Sequence, residues 1–152
     1  MPESREFKPI KELGSVSLSD TSELKFYVDE YKGYKYASIR TFIKGDNYSG
    51  PTKAGVTLNA AILEGVIKAL EKLPKEPQTT QDQELARFPK KMGIELVLRI
   101  TIFKDNTGID LREWVEDQEY KGWSKKGVRV PYKDLPKSLE YLKGMQPLIN
   151  KK

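Results

Sequence analysis

The segment GWSKKGVRV, residues 122–130, closely repeats an earlier segment, GPTKAGVTL, residues 50–58. Gly50 and Gly55 of the earlier copy correspond to Gly122 and Gly127 of the later copy, each at an offset of 72 residues. An internal repeat constrains the fold strongly, because each copy is expected to form the same structural unit. The chain is therefore best analysed as two aligned copies.

The same offset aligns most of the chain without a gap. Identical pairs are Glu23 and Glu95, Leu24 and Leu96, Lys32 and Lys104, Arg40 and Arg112, Tyr48 and Tyr120, Lys53 and Lys125, Val56 and Val128, Leu63 and Leu135, and Leu70 and Leu142. We predict a first unit at residues 1–73, a linker at 74–86 and a second unit at 87–152. The linker prediction rests on the polar stretch PKEPQTTQDQEL, which contains two prolines.

Each unit contains the pattern of an antiparallel sheet. Apolar and other side chains alternate in LVLRITIF (96–103) and in LKFYVDEY (24–31), as expected of half-buried strands. Turns at 32–33 and 104–108 lead to second strands at 36–43 and 109–115. A longer loop then precedes a short third strand at 55–58 or 127–130. Segments 7–18 and 87–93 are candidates for a leading strand in each unit.

A helical period follows each third strand. Leu63, Val66, Ile67 and Leu70 have helical spacing after Asn59, a candidate N-cap, and Leu135, Leu139 and Leu142 form a similar stripe after Asp134. We therefore predict an α+β fold of two tandem units, each a curved antiparallel sheet followed by an amphipathic helix. An isolated unit would expose its apolar stripe, so the units should pair through their helices, within one chain or between two chains as a homodimer.

The alternation also assigns side chains to the outward face of each sheet. We predict that this face carries arginines and aromatic rings, which single-stranded nucleic acid can use for phosphate contact and base stacking. Cross-strand stiffening of the sheet, or cover by another subunit, would produce the same pattern. The predicted outward binding residues on the strands are Tyr31, Tyr36, Arg40, Phe42, Arg99, Phe103, Arg112 and Trp114.

Lysines accompany the repeated glycines in the predicted loops. Glycine permits close backbone approach to a ligand, and lysine supplies positive charge for phosphate. Unit two has more such lysines, so we expect it to bind more strongly. The predicted loop residues are Lys53, Lys121, Trp123, Lys125 and Lys126.

The stretch IDLREWVEDQEYKGWSKKGVRVPYKDLPKSLEYLK, residues 109–143, resembles the single-stranded-DNA-binding domain of the positive cofactor four family of transcriptional coactivators. The resemblance rests on Ile109–Trp114 and on Lys125–Val130, and it extends to unit one through the repeat. It implies domains paired through their helices. It also implies DNA contacts at Phe103 and Lys104, at Tyr31 and Lys32, at the strand-two arginines Arg112 and Arg40, and at Lys126.

Two residues of unit one depart from the family pattern, because Ala54 stands where the loop lysine is expected and Thr41 where the glutamate follows the arginine. The Ser/Lys-rich tail of eukaryotic members is also absent from this sequence. The resemblance is therefore closest to compact bacterial and phage members. It implies a cytoplasmic, nucleoid-associated protein, or one in the host cytoplasm if phage-encoded.

The amino-acid composition argues against several classes of function. The 152 residues include no histidine and no cysteine, so the commonest general base and the thiolate ligands are missing. We expect no enzyme activity, no cofactor, no metal site and no membrane partner. The net charge of +5 is compatible with a polyanionic partner. We expect a sequence-tolerant single-stranded-DNA-binding protein of replication, recombination, repair or transcription; an RNA-binding regulator and a protein-interaction adaptor are the alternatives.

Overall fold

The computed structural model describes residues 9–78 and 81–149. Within these residues, four strands and a helix are followed by four more strands and a second helix. The elements of the first half are β1 (Lys11–Ser19), β2 (Ser22–Tyr31), β3 (Tyr34–Lys44), β4 (Ser49–Leu58) and α1 (Ala60–Glu71). Those of the second half are β5 (Gln83–Lys91), β6 (Ile94–Phe103), β7 (Asn106–Glu116), β8 (Lys121–Pro131) and α2 (Leu135–Ile149).

The strands form two antiparallel four-stranded sheets, in the orders β1-β2-β3-β4 and β5-β6-β7-β8. This arrangement confirms the predicted α+β fold of two tandem units, each a sheet followed by a helix. The leading strands exist in both units; positions 7 and 8 of the first prediction lie outside the described residues. Strand β5 starts at Gln83, so the last residues of the interval assigned to the linker are already in the sheet.

The prediction of a long loop before a short third strand was wrong in both units. Strands β4 and β8 begin at Ser49 and Lys121, well before the segments 55–58 and 127–130. The pairing with β3 and β7 is interrupted instead by a register shift, between Arg40 and Phe42 and between Arg112 and Trp114. The glycine- and lysine-rich stretch is therefore a bulged strand, which local sequence signals do not separate from a loop.

The two helices begin differently. Asn59 caps α1 as predicted, because its side-chain oxygen accepts a hydrogen bond of 2.8 Å from the backbone nitrogen of Ile62. The predicted cap at Asp134 was wrong: the chain already forms a 3-10 turn at Tyr132–Asp134 and continues into α2 without a break. Pro131, with an extended backbone, is the residue that precedes this helical path.

The helices pair within the chain. Helix α1 contacts α2, and Lys143 Nζ of α2 lies 2.6 Å from a carboxylate oxygen of Glu71 of α1. Each helix also reaches the leading strand of the other unit. A Cβ atom at Gly65 of α1 would lie 2.4 Å from the ring of Phe88 in β5, and one at Gly14 of β1 would meet Tyr141 of α2. Glycine at these two positions therefore permits the close crossings.

One continuous core joins the two units. It includes Leu24 and Phe26 of the first sheet and Leu96 and Leu98 of the second, together with the buried faces of both helices. Strands β4 and β8 also contact each other across the two sheets. The apolar stripes that predicted pairing are thus buried against the partner unit in cis. Among the described residues, no helix is both long and apolar enough to span a membrane.

Candidate nucleic-acid interface

Each sheet has an outer face, which we define as the face directed away from the core and the helices. Strand parity places Arg40 of β3 and Arg112 of β7 at equivalent positions on the two outer faces. The predicted binding residues on the strands lie on these faces or at their ends. Their exposure, however, differs widely from residue to residue.

The most exposed predicted rings are at the tips of the central hairpins. Tyr31 and Phe103 end strands β2 and β6, and 65% and 64% of their surfaces are exposed. The next residue, Lys32 or Lys104, places its Nζ atom 5.4 Å from the centre of the preceding ring in both units. The two tips therefore present the same pair of an exposed ring and a cation.

Turn geometry holds these lysines in position. Lys32 and Gly33 have φ values of 53° and 83°, and Lys104 and Asp105 have 50° and 66°. Two positive φ values at the centre of a two-residue hairpin are typical of a type I′ turn. The turn predicted at 104–108 was too long, because β7 begins at Asn106. A lysine with positive φ is strained, and such strain is often found at binding sites.

The repeated glycines make room for two larger side chains. A Cβ atom at Gly55 or Gly127 would lie 2.8 Å or 2.7 Å from Cζ of Arg40 or Arg112. Each arginine therefore crosses the sheet surface directly above a glycine of the neighbouring strand.

The first glycine of each pair accommodates a tyrosine. A Cβ atom at Gly50 or Gly122 would lie 3.1 Å or 2.9 Å from the hydroxyl oxygen of Tyr48 or Tyr120. These hydroxyls donate hydrogen bonds to the carbonyls of Pro51 and Trp123, respectively. In each unit, the glycines of the repeated motif thus leave space for the side chains of one tyrosine and one arginine.

The predicted loop lysines lie on the bulges of β4 and β8. In unit two the bulge contains Ser124, Lys125 and Lys126, and the Ser124 hydroxyl accepts a 2.9 Å hydrogen bond from the backbone nitrogen of Lys126. In unit one the Thr52 hydroxyl accepts the equivalent bond from Ala54. Lys53, Lys125 and Lys126 are exposed, and none of them has an ion-pair partner among the described residues. Lys121, at the start of β8, lies 3.9 Å from Glu116.

A buried carboxylate organises the outer face of the second sheet. Asp110 is only 3% exposed and accepts hydrogen bonds from both neighbouring arginines. Arg99 Nη2 lies 3.1 Å from Oδ2, and Arg112 donates through Nη2 to Oδ1 at 3.2 Å and through Nε to Oδ2 at 3.4 Å. Burial of this carboxylate is offset by two cations, which leaves the group of three with one net positive charge.

The outward parity of the aromatic residues was predicted correctly, but two of the rings are not free platforms. Phe42 is only 7% exposed, packed edge to face on Tyr27 and covered by Lys25 Nζ, 4.8 Å from the ring centre. Its predicted solvent exposure was wrong, because neighbouring side chains on the same face close over it. Tyr36 is half-buried on β3 beside Asp29.

The two tryptophans contact each other. The ring centres of Trp114 and Trp123 are 4.8 Å apart in an edge-to-face arrangement, and both rings are half-buried. Arg99 Cζ lies 4.2 Å from the centre of the Trp123 ring and so covers one of its faces. Trp114 also donates a hydrogen bond of 3.3 Å from its ring nitrogen to Glu116.

The equivalent position in unit one is built differently. Tyr27 replaces Arg99 and Ser38 replaces Asp110, and both are buried. Arg40 donates from Nε to the Tyr27 hydroxyl at 3.3 Å and from Nη1 to the Thr52 carbonyl at 2.8 Å. The two outer faces therefore share an arginine over glycine but differ in the groups that hold it.

An open cleft lies at the end of each outer face opposite the hairpin tip. In unit one it has a volume of about 420 Å³ and is lined by hydroxyls, including Ser17, Ser19 and Ser22, together with Phe42 and Lys44. The equivalent cleft of unit two, about 390 Å³, is lined by Trp114 and Glu116. Phe42 and Trp114, which occupy the same position of the repeat, thus border the clefts of unit one and unit two, respectively.

The edge of the second sheet carries a further ion-pair network. Arg87 Nη1 lies 2.8 Å from Glu95, and Arg87 Nη2 lies 2.9 Å from Glu84. The hydrogen bond from Arg87 lowers the pKa of Glu84, and the paired carboxylates raise the pKa of Arg87. The Arg87 guanidinium is therefore ion-paired within the protein.

Four residues of the outer faces were missed in the sequence. Tyr34 lies opposite Tyr31 in the pairing of β2 with β3 and is equally exposed. Tyr48 and Tyr120 are exposed beside the bulges, and the repeat alignment could have identified them. Arg129 lies over Gly108 and donates to the hydroxyl and carbonyl of Thr101. The outward parity of Arg129 within GVRV was the available signal.

Comparison with known proteins leaves the family open. The sequence matches no protein-family model and no curated protein at a significant level. Among solved structures, WHY3 from Arabidopsis thaliana is similar with a TM-score of 0.47 at 8% identity, over 97% of this chain and 91% of that chain. The plant transcriptional regulator PBF-2 is similar with a TM-score of 0.39 at 10% identity, over 94% and 88%. Membership of the positive cofactor four family stays a prediction.

Proposed function

We propose that this protein binds single-stranded DNA across the outer faces of its two sheets, with little dependence on base sequence. The observation that carries the proposal is the pair of hairpin tips. Tyr31 with Lys32 and Phe103 with Lys104 present an exposed ring beside a cation at the same distance. A flat ring stacks on any base, and a nearby lysine attracts the adjoining phosphate.

The distribution of charge supports the same proposal. Exposed lysines stand at the tip and at the bulge of each unit, whereas Arg99 and Arg112 are held by Asp110. The lysines therefore supply the mobile cations for phosphate, and the rings supply contacts that need unpaired bases. Duplex DNA cannot use such rings, because its bases are already stacked on each other.

The cellular role follows from this binding mode only in general terms. A sequence-tolerant protein for single strands would serve DNA replication, recombination or repair, or the opening of DNA in transcription. We further propose that the chain acts by binding alone and not as an enzyme.

A titration with labelled oligo-dT, oligo-dU, oligo-U and a duplex of equal length tests the proposal. We expect oligo-dT to bind more tightly than the duplex, and binding to weaken as the salt concentration rises. Equal affinity for duplex and oligo-dT would contradict the proposal. Preference for oligo-U over both oligo-dT and oligo-dU would identify an RNA-binding protein, because oligo-U and oligo-dU differ only in the 2′-hydroxyl. Binding of no oligonucleotide would favour a protein-interaction adaptor.

Two variants test whether the rings at the hairpin tips contribute to the binding of oligo-dT. Tyr31→Ala and Phe103→Ala should each weaken binding by about 1–3 kcal/mol, with little change in the salt dependence, because a ring and not a charge is removed. Met92→Ala, at another exposed turn, is the control and should bind as the unchanged protein does.

A further inference from the structure

The outer face of the second sheet carries arginines in a geometry that does not suit simple phosphate binding. Arg112 runs along the sheet over Gly127, and Arg129 runs over Gly108. Arg99 lies on the face of the Trp123 ring. All three guanidinium groups are thus held against the protein surface.

The Nε–Nη2 edges of Arg112 and Arg129 face protein acceptors, whereas Nε of Arg99 is buried and has no hydrogen-bond partner among the described residues. The Nε and Nη2 atoms of Arg112 form the edge that would grip a phosphate side-on, and both donate to Asp110. The same two atoms of Arg129 donate to Thr101, and Nη2 also donates to the carbonyl of Asn106. With these edges occupied, the guanidinium groups can offer a ligand their flat faces and their Nη1 atoms, but not the side-on edge that grips a phosphate.

A guanidinium face is a surface on which nucleobases stack. The side chains of Arg99 and Arg112 remain 22% and 27% exposed, whereas that of Asp110 between them is 4% exposed. Because Asp110 touches both arginines but is almost closed to solvent, it acts by positioning them.

We infer that Arg99 and Arg112 form a base-stacking platform, held flat by Asp110 as a positioning residue. The ligand is an unpaired nucleobase, and its phosphates are bound by the bulge lysines and not by these arginines. The inference rests on the proposed function and assigns the base contact within it.

The substitution Asp110→Asn tests the inference by the sign of its effect. It removes one negative charge from the face, so attraction of phosphate alone would tighten binding to oligo-dT and steepen its salt dependence. If Arg99 and Arg112 form a stacking platform, the loss of the Asp110 carboxylate should instead weaken the binding of oligo-dT about tenfold. Glu95→Gln is the charge control, because it removes a carboxylate of the same face that does not contact Asp110, Arg99 or Arg112.

A second variant keeps every charge. Gly127→Ala places a methyl group 2.7 Å from Cγ and from Cζ of Arg112, so the arginine side chain has to leave its place over the glycine. We expect about tenfold weaker binding of oligo-dT at an unchanged salt slope. An abasic oligonucleotide has the same phosphates and no bases, so it should bind this variant as tightly as the unchanged protein.

These outcomes distinguish a failure of the proposed function from a failure of the base-stacking platform alone. If the unchanged protein fails to bind oligo-dT, the proposed function fails and the platform falls with it. If the unchanged protein binds, and Asp110→Asn and Gly127→Ala bind equally well or better, only the platform is overturned. Circular dichroism and the melting temperature establish that each variant is folded; should Asp110→Asn be unfolded, Gly127→Ala decides alone.

Discussion

At the scale of single residues, the repeated glycines explain why two distant segments share a sequence. Gly50 and Gly122 each lie beneath a tyrosine hydroxyl, and Gly55 and Gly127 each lie beneath an arginine. A larger residue at these positions would push the covering side chain away from the sheet. The repeat therefore preserves the surface of the outer face as well as the backbone of the unit.

One buried hydroxyl opposes folding. Ser138 of α2 is buried against a small apolar cavity lined by residues such as Phe26 and Leu142, and its Oγ atom has no hydrogen-bond partner among the described residues. Ser138→Ala should raise the free energy of unfolding by about 1 kcal/mol, because an unsatisfied polar group is removed from the core. Urea unfolding measures the change. Ser17→Ala on the surface is the control, and a loss of stability in Ser138→Ala would contradict the assignment.

A second residue-scale prediction concerns a carboxylate with inward parity. Glu113 is 6% exposed and lies 2.8 Å from Lys90 Nζ. Unit one has Thr41 and Leu18 at the corresponding positions. Lys90→Leu alone should lower the free energy of unfolding by about 2–3 kcal/mol, because the carboxylate loses its partner.

The double variant Lys90→Leu with Glu113→Thr copies unit one and should recover most of that stability. Denaturant midpoints of the three proteins give the comparison. A double variant less stable than Lys90→Leu alone would show that the pair is not the reason for the effect.

At the scale of elements, the bulges of β4 and β8 determine where the lysines stand. Each bulge begins with a hydroxyl residue, Thr52 or Ser124, that bonds the backbone two residues ahead. The turn directs the following side chains away from the ladder. Because unit two has lysine at both bulge positions and unit one has Ala54 at the second, the two bulges differ in charge but not in backbone design.

This difference leads to a prediction about affinity. Changing Lys125 and Lys126 together to Ala should weaken oligo-dT binding and lower the salt slope by about 0.7 for each phosphate that the variant no longer neutralises. Lys53→Ala, the matched change in unit one, should have a smaller effect on both quantities. Affinity measured at several salt concentrations gives the slopes, and a larger effect of Lys53→Ala would show that the two units have been ranked in the wrong order.

The sequence predicted the strands and helices that have a clear period. Strands β2, β3, β6 and β7 were located to within a few residues, because their apolar alternation is regular. The first halves of β4 and β8 were missed because glycine, proline and lysine favour loops locally, and only pairing with β3 and β7 makes them strands. The burial of Phe42 was missed for a related reason, since cover by Lys25 and Tyr27 is a tertiary contact.

The candidate site was predictable as a face but not as a set of contacts. Parity placed Arg99 and Arg112 together on one side of the second sheet. It could not show that a single carboxylate is shared by two arginines, because that depends on rotamers and on the space that Gly127 leaves for the Arg112 side chain. Which predicted binding residues contact nucleic acid stays a prediction.

At the scale of the whole molecule, the shared core makes the two units interdependent. Leu24 is fully buried in sheet one, whereas both tryptophans are in unit two. Leu24→Ala should lower the stability reported by tryptophan fluorescence by about 3 kcal/mol, because a cavity in one unit weakens the common core. Tryptophan fluorescence and circular dichroism should give the same midpoint. An unchanged tryptophan midpoint would show that the units unfold separately.

The pairing in cis also leaves the outer faces of the two sheets available within one chain. The core and both helices occupy the inner side of each sheet, so a single strand of nucleic acid has two outer faces to bind. We therefore expect every nucleic-acid contact to lie on the outer faces and none on the exposed sides of α1 and α2.

Photocrosslinking tests this claim most directly. An oligo-dT in which thymines are replaced by 5-iodouracil would be bound to the full chain, irradiated and digested, and the adducts located by mass spectrometry. We expect adducts at the outer-face aromatic residues, with Tyr31, Phe103 and Tyr120 among them. Adducts confined to peptides from α1 and α2, with the hairpin tips and the bulges unmodified, would contradict it.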